Sequence, residues 1–213
     1  MLPPATIGPG EFFPVVGVGP HPLPWPLGDE FDPELLEAGD RRNVLDRYRY
    51  WKVAAIVADL DTKRHKLQIA IENWQHDLNI GSIVRTANAF NVAGVHIIGK
   101  RDWNKRGAMV TDRYLTVTHH PTVEDFASWA KENSIPIIGI DNVPGSKPLE
   151  GATLPMECVL LFGQEGAGMS DAGVEICSVL YAIEQYGSTR SMNASAAGAI
   201  AMYHWALQHL PRN

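Results

Sequence analysis

After residue 66 the chain alternates short apolar runs with longer stretches of helical spacing, and this alternation limits the possible folds most. The runs are Leu67–Glu72, Gly94–Ile98, Leu115–Thr118, Ile135–Ile140, Cys158–Phe162 and Val179–Ile183. Between or after them lie the helical stretches Ile80–Phe90, Val123–Asn133, Ser170–Cys177 and Asn193–Leu210. Continuous apolar runs suit strands covered on both faces. Strand, helix, strand in succession builds a parallel sheet with crossover helices. The pattern therefore predicts an α/β fold with a mostly parallel sheet. Ligands of such sheets sit beyond the carboxyl ends of the strands.

Upstream the composition changes. Residues 1–33 hold nine of the fifteen prolines, with Pro20, Pro22, Pro24 and Pro26 at alternate positions. Proline lacks a backbone donor and resists helix and central strand. An extended or loosely packed arm is expected, with Phe12, Phe13, Trp25 and Phe31 available to pin it. From Pro33 to Asp59 the apolar spacing turns helical, broken at Gly39. The expected division is an acidic Pro-rich arm over 1–40, a basic helical extension over 41–66 and an α/β domain over 67–213.

The net charge of −6 conceals an asymmetry. Residues 1–40 hold seven acids and no Lys or Arg, which leaves 17 acids against 18 bases in the rest. Those bases cluster: Arg41, Arg42, Arg47, Arg49 and Lys52; then Lys63, Arg64 and Lys66; then Lys100, Arg101, Lys105, Arg106 and Arg113. Such clusters either track a phosphate backbone or form solvated faces. No run of about 18 apolar residues is present to span a bilayer, and Met-Leu-Pro-Pro does not open a secretory signal. Cys158 and Cys177 are too few for a disulfide framework or a metal site, and buried free thiols in a reducing cytoplasm are expected.

Three segments at strand ends differ from ordinary loop. Asn79-Ile80-Gly81-Ser82-Ile83-Val84-Arg85-Thr86 opens a helix, with Asn79 as a plausible cap. Phe162-Gly163-Gln164-Glu165-Gly166-Ala167-Gly168-Met169-Ser170 places three glycines between a strand and a helix, where the backbone is free to approach a ligand. It matches neither the dinucleotide fingerprint nor the phosphate loop. The third, Ile183 to Ser195, joins the last strand to an Ala- and Gly-rich helix suited to close packing, including against a second subunit. Each taken alone is equally an ordinary cap or turn.

Together and in order, the segments resemble the three motifs of the TrmH-like (SpoU) branch of the SPOUT methyltransferases, over roughly Leu67 to Leu210. Asn79, Gly81, Arg85 and Thr86 match the first motif. Gly163, Glu165, Gly166, Gly168 and Ser170 match the second. Gly187, Ser191, Asn193 and Ser195 match the third, with Met192 in place of the usual Leu. The resemblance implies transfer of a methyl group from S-adenosylmethionine to a ribose 2′-hydroxyl of tRNA or rRNA. It implies a C-terminal trefoil knot, an exception to the rule against knotted chains. It also implies a homodimer formed through the last helix, with the active site shared between subunits.

By matched position, Gly163, Gly166, Ile183, Met192 and Asn193 are the expected cofactor contacts. Arg85, Asn79, Glu165, Ser191 and Asn193 are the expected catalytic group. Arg85 either accepts the 2′-proton transiently or stays cationic and stabilises the developing alkoxide. Lys100, Arg101, Trp103, Lys105 and Arg106 are the expected RNA contacts. Trp103 stands among these bases as the candidate for stacking, although packing is the commoner use of Trp74 and Trp103. His119-His120 has no acidic cluster beside it, so no metal is expected. The chain departs from the family where Gln75-His76-Asp77-Leu78 lacks the usual proline and where Ile183-Glu184 replaces Ile-Pro. Two other readings share the fold: a catalytically silent RNA-binding protein, and an enzyme methylating a base nitrogen.

Overall fold

Seven strands form one sheet in the order β3-β2-β1-β6-β4-β7-β5, and every pairing is parallel. The computed structural model describes residues 17–75, 79–164 and 166–211. The strands are β1 (His65–Asn73), β2 (Val92–Gly99), β3 (Val117–His120), β4 (Ile137–Ile140), β5 (Lys147–Pro148), β6 (Cys158–Phe162) and β7 (Val179–Ala182). The helices are α1 (Pro33–Ala38), α2 (Val53–Asp61), α3 (Asn79–Ala89), α4 (Val123–Glu132), α5 (Asp171–Glu175) and α6 (Ala194–His209). Each apolar run named above overlaps a strand, and each helical stretch overlaps a helix, with ends shifted by a few residues: the run Leu115–Thr118 meets β3 only at Val117–Thr118. The two-residue, exposed edge strand β5 has no counterpart in the sequence reading, because Lys147–Pro148 carries no apolar signal.

The side-chain alternation of β1 and β6 divides the core into two layers. Leu67, Ile69, Ile71, Leu160 and Phe162 face one side with Ile80, Ile83 and Val84 of α3 and Met202 and Trp205 of α6. Ala70, Val159 and Leu161 face the other with Val123, Phe126 and Ala130 of α4. Central strands covered on both faces have no polar side, which is why their sequences read as unbroken apolar runs. Burial pushes the Cys158 and Cys177 thiols up to about 12, and both are free.

The chain divides between Asp59 and Leu60 into two compact units. In the first, Val18 bridges to Asp40 and Phe31 to Trp51. The described part of the acidic segment is therefore paired with the segment 40–51 and is not an extended arm; Phe12 and Phe13 lie outside the described residues. The helical reading of 33–59 holds only at its ends, in α1 and α2. Between them the backbone wraps the fully buried Asp40 carboxylate. Arg42 donates to it through Nε at 2.9 Å and Nη2 at 2.7 Å, and the Tyr50 N–H donates at 3.0 Å, with Tyr50 at φ +63°. Burial alone would raise this carboxyl group, but these donors outweigh it and hold the pKa at about 2. Collecting those donors is incompatible with continuous helix.

Candidate active site

The loop after β6 folds back on itself. Gln164 and Gly168 exchange backbone hydrogen bonds of 3.2 and 3.0 Å. Gly166 and Gly168 take φ of +89° and +72°, which side chains rarely adopt. A Cβ at Gly163 would lie 2.1 Å from the Met169 nitrogen, so no other residue fits there.

Two carboxylates pin this loop, and the sequence reading missed both. Glu72, fully buried near the end of β1, accepts from the Ser170 N–H at 2.7 Å and from the Ser170 hydroxyl at 2.5 Å. Ser170 Oγ accepts in turn from the Gly173 N–H and caps α5. Asp141, just past β4, accepts from the Met169 N–H at 2.6 Å. Next to it, the Asn142 amide donates to the Arg190 carbonyl at 3.0 Å and so ties in the third loop. Acids at strand ends are common, and only the fold shows that Glu72 meets a serine 98 positions away.

The third loop runs from β7 to α6. Glu184 has an N–H that the family's usual proline would lack, and Glu150 Oε1 accepts it at 3.1 Å. Tyr186 donates its hydroxyl to Glu184 Oε2 at 2.7 Å. Asn193 caps α6 by accepting from the Ser195 and Ala196 N–H groups. Its amide donates to Asn79 Oδ1 at 2.7 Å, joining the starts of α6 and α3. α3 and α6 also approach closely at Gly198, where a Cβ would touch Ile83 at 3.4 Å.

These loops enclose a cavity of about 1030 Å³ beyond the carboxyl ends of β4, β6 and β7. Gly163, Gly166, Ile183, Ser191, Met192 and Asn193 all line it, as do Asp141, Glu184 and Arg190. Asn79 is buried beside it through Asn193. Arg85 does not line it: it is exposed on α3, four residues along the same face from Gly81. Glu165 lies outside the described residues.

The expected RNA contacts fall elsewhere, on the segment after β2. Lys100, Arg101, Lys105 and Arg106 are exposed. Asn73, buried at the end of β1, holds this segment by donating to the carbonyls of Lys100 and Asp102. Trp103 is only partly exposed and packs against the core, with the Lys105 ammonium 5.4 Å from its ring centroid. Lys105 also pairs with Asp112 at 3.1 Å. Trp74 packs in the α4 layer and covers Gly99. Both tryptophans take part in packing. The two apolar residues most exposed here, Met109 and Val110, were not singled out from sequence.

Neither His119 nor His120 has a hydrogen bond to an acid among the described residues. The His119 ring bonds the Gly99 carbonyl, and His120 meets His96 at 2.9 Å. Among the described residues no group of three or more His, Cys, Asp or Glu is placed to hold a metal, and no helix is long and apolar enough to cross a membrane.

Residues 66–203 match the model of the SpoU rRNA Methylase family. A tRNA (guanosine(18)-2′-O)-methyltransferase of Borreliella burgdorferi is 25% identical over 155 residues, covering 71% of each chain. A 23S rRNA (guanosine-2′-O-)-methyltransferase of Neisseria meningitidis is 31% identical over 147 residues, covering 63% of this chain and 56% of that one. The chain spans about half the length of the ribosomal-RNA relatives it matches, 53% in the case of the Bordetella pertussis enzyme. Among solved structures, the SpoU methyltransferase AviRb of Streptomyces viridochromogenes superposes with a TM-score of 0.63 at 25% identity, covering 72% of this chain and 63% of that one. A TrmH/SpoU tRNA modifying enzyme of A. aeolicus gives 0.64 at 22% identity over 73% of this chain and 81% of its own. Sheet order, the motif loops and the matched span lead to one assignment: this chain belongs to the SpoU rRNA methylase family.

Proposed function

We propose that the protein transfers a methyl group from S-adenosylmethionine to a ribose 2′-hydroxyl of tRNA or rRNA. The observation that carries this reading is the Asn193–Asn79 hydrogen bond. It brings the first and third motifs together beside a cavity walled by the second and third.

The cavity suits the methyl donor. S-adenosylmethionine carries an ammonium, a sulfonium and a carboxylate. The walls offer the Asp141 and Glu184 carboxylates, the Arg190 guanidinium and an open glycine turn at Gly166. Its volume also suits a ligand larger than a nucleoside. Gly163, Gly166, Ile183, Met192 and Asn193 would hold it, with Glu72 and Asp141 fixing the loop they stand on. When bound, it supplies an electrophilic methyl group attached to a good leaving group.

The chain then has to aim a 2′-oxygen and manage its proton. Asn79, Ser191 and Asn193 orient the ribose. Arg85 stabilises the charge developing on the 2′-oxygen. A guanidinium is suited to that role because it holds its own proton in proteins. Arg85 does not line the cavity of its own subunit, so it would serve the cavity of a second copy. α6 supports such a homodimer, since Ile200, Tyr203 and Leu207 are 43%, 56% and 43% exposed along one helical stripe. The trefoil expected of the family is proposed for the stretch from β6 to α6. It is supported by β6 lying between β1 and β4 while β7 lies outside β4. A cytoplasmic location is proposed together with these RNA substrates.

The test supplies methyl-labelled S-adenosylmethionine and unmodified tRNA and rRNA transcripts to wild type and Arg85→Ala, then digests the RNA to nucleosides. Label in a 2′-O-methylnucleoside, absent with the variant, is expected. Label in a base would overturn the ribose reading. Cofactor binding without any transfer would favour a silent RNA-binding role.

A further inference from the structure

Met109 and Val110 stand out on the surface of the catalytic unit. They are 61% and 54% exposed, and both take a left-handed backbone, φ +47° and +66°. Two consecutive non-glycine residues in that region are unusual, the more so when one is β-branched. Their mounting is firm. Asn104 Oδ1 caps the 3-10 turn Lys105–Ala108 by accepting from the Arg106 N–H at 2.9 Å. The buried Thr111 donates its hydroxyl to the Ala108 carbonyl at 2.6 Å. Below, Gly81 and Gly107 allow the turn to press on α3: a Cβ at Gly81 would lie 2.8 Å from the Ala108 nitrogen, and one at Gly107 2.8 Å from the Ser82 nitrogen. Arg85 follows Gly81 by one turn on that face of α3.

Cations flank this apolar tip along the chain. Arg106 precedes it and Arg113 follows it, with Lys100 and Arg101 earlier in the segment after β2, while Asp112 is taken up by Lys105. All four flanking cations are exposed, and none has an ion-pair partner among the described residues. A second copy of this chain meeting the tip across a two-fold axis would set these cations against themselves. A polyanion would not. An apolar tip among cations has the chemistry of side chains that enter a base stack while arginines hold the phosphates beside it.

We propose that Met109 and Val110 form a wedge that packs against an unstacked base of the RNA substrate, with Arg106 and Arg113 on the adjoining phosphates. This rests on the RNA-methyltransferase reading and adds the residues that open the RNA near Arg85.

The test compares wild type with Met109→Asn/Val110→Gly, whose replacements tolerate positive φ and so preserve the fold. Binding to unmodified tRNA and rRNA transcripts is measured across a salt series, beside methyl transfer to the same transcripts. The double variant is expected to bind about tenfold more weakly, the order of effect of losing one buried aliphatic contact. Its dependence of log Kd on log salt, its cofactor affinity and its oligomeric mass should match wild type. Arg106→Ala and Arg113→Ala should each lower that salt slope by about one. Affinity within twofold of wild type would overturn the wedge, and so would a change of oligomeric mass, which would make the tip a subunit contact. If the double variant melts early, Val110→Gly alone decides by the same readings. Wild type that binds RNA but does not methylate it would refute the function while leaving the wedge standing; wild type that binds no RNA would refute both.

Discussion

Asn193 donates its side-chain amide to the Asn79 carbonyl oxygen at 2.7 Å, across 114 positions of sequence. Asn193 also caps α6 through its own oxygen. One residue thus starts the last helix and fastens it to the first motif.

The two roles separate by substitution. Asn193→Asp keeps the capping oxygen and loses the donor to Asn79; Asn193→Ala loses both, with a stability cost of about 1 kcal/mol for the cap. Asp is expected to melt close to wild type and to transfer methyl groups poorly, whereas Ala is impaired in both. Thermal melts beside label incorporation decide this. Wild-type transfer by the Asp variant would show that the Asn79 contact is dispensable.

Arg85 is exposed and makes no ion pair among the described residues. Arg85→Ala should therefore change stability by less than about 0.5 kcal/mol. Cofactor affinity, read by calorimetry, should not move, while transfer is lost. A large fall in melting temperature would instead make Arg85 a structural residue.

Gly163→Ala places a methyl group 2.1 Å from the Met169 nitrogen. Backbone cannot yield there as a flexible side chain would, and overpacking of this kind costs about 1–3 kcal/mol. The Asp141–Met169 bond and the glycine turn should shift together. A cofactor Kd raised at least tenfold is expected, and unchanged binding would show that the loop relaxes freely.

His96 and His120 form a buried pair. His96 donates through Nε2 to Gln68 Oε1, which leaves Nδ1 to accept from His120. Burial first, and the His120 ring second, lower the His96 pKa to about 3. The unfolded chain takes up this proton near pH 6.5 and the folded one only near 3. Stability is therefore complete above about pH 6.5 and falls with acid toward 3, by up to about 1.4 kcal/mol per unit. Denaturant titrations at successive pH values should show that slope, and His96→Gln should flatten it. An equally steep variant would assign the acid sensitivity to other groups.

The sheet was legible because strands such as Cys158–Phe162 bury every side chain and leave a continuous apolar signal. The motif loops, Gly163 and Asn193 among them, read singly as ordinary turn and cap and became legible only through their order along the chain and its resemblance to a family. Glu72 and Asp141 were not, since their partners lie 98 and 28 positions away and nothing local distinguishes them. The course of 40–52 was hidden because one buried carboxylate outweighs the helical spacing around it. Met109 and Val110 were hidden because exposure is not written in residue type.

The position of β6 sets the order in which the sheet can be assembled. Its neighbours β1 and β4 are both synthesised earlier, yet neither can meet the other without it. Until Cys158–Phe162 leaves the ribosome, Leu67–Ile71 and Ile137–Ile140 each keep an apolar edge open to any passing strand. A nascent chain stalled in that interval would be prone to aggregate, so an early helper at the ribosome would protect those two edges before the remainder of the fold.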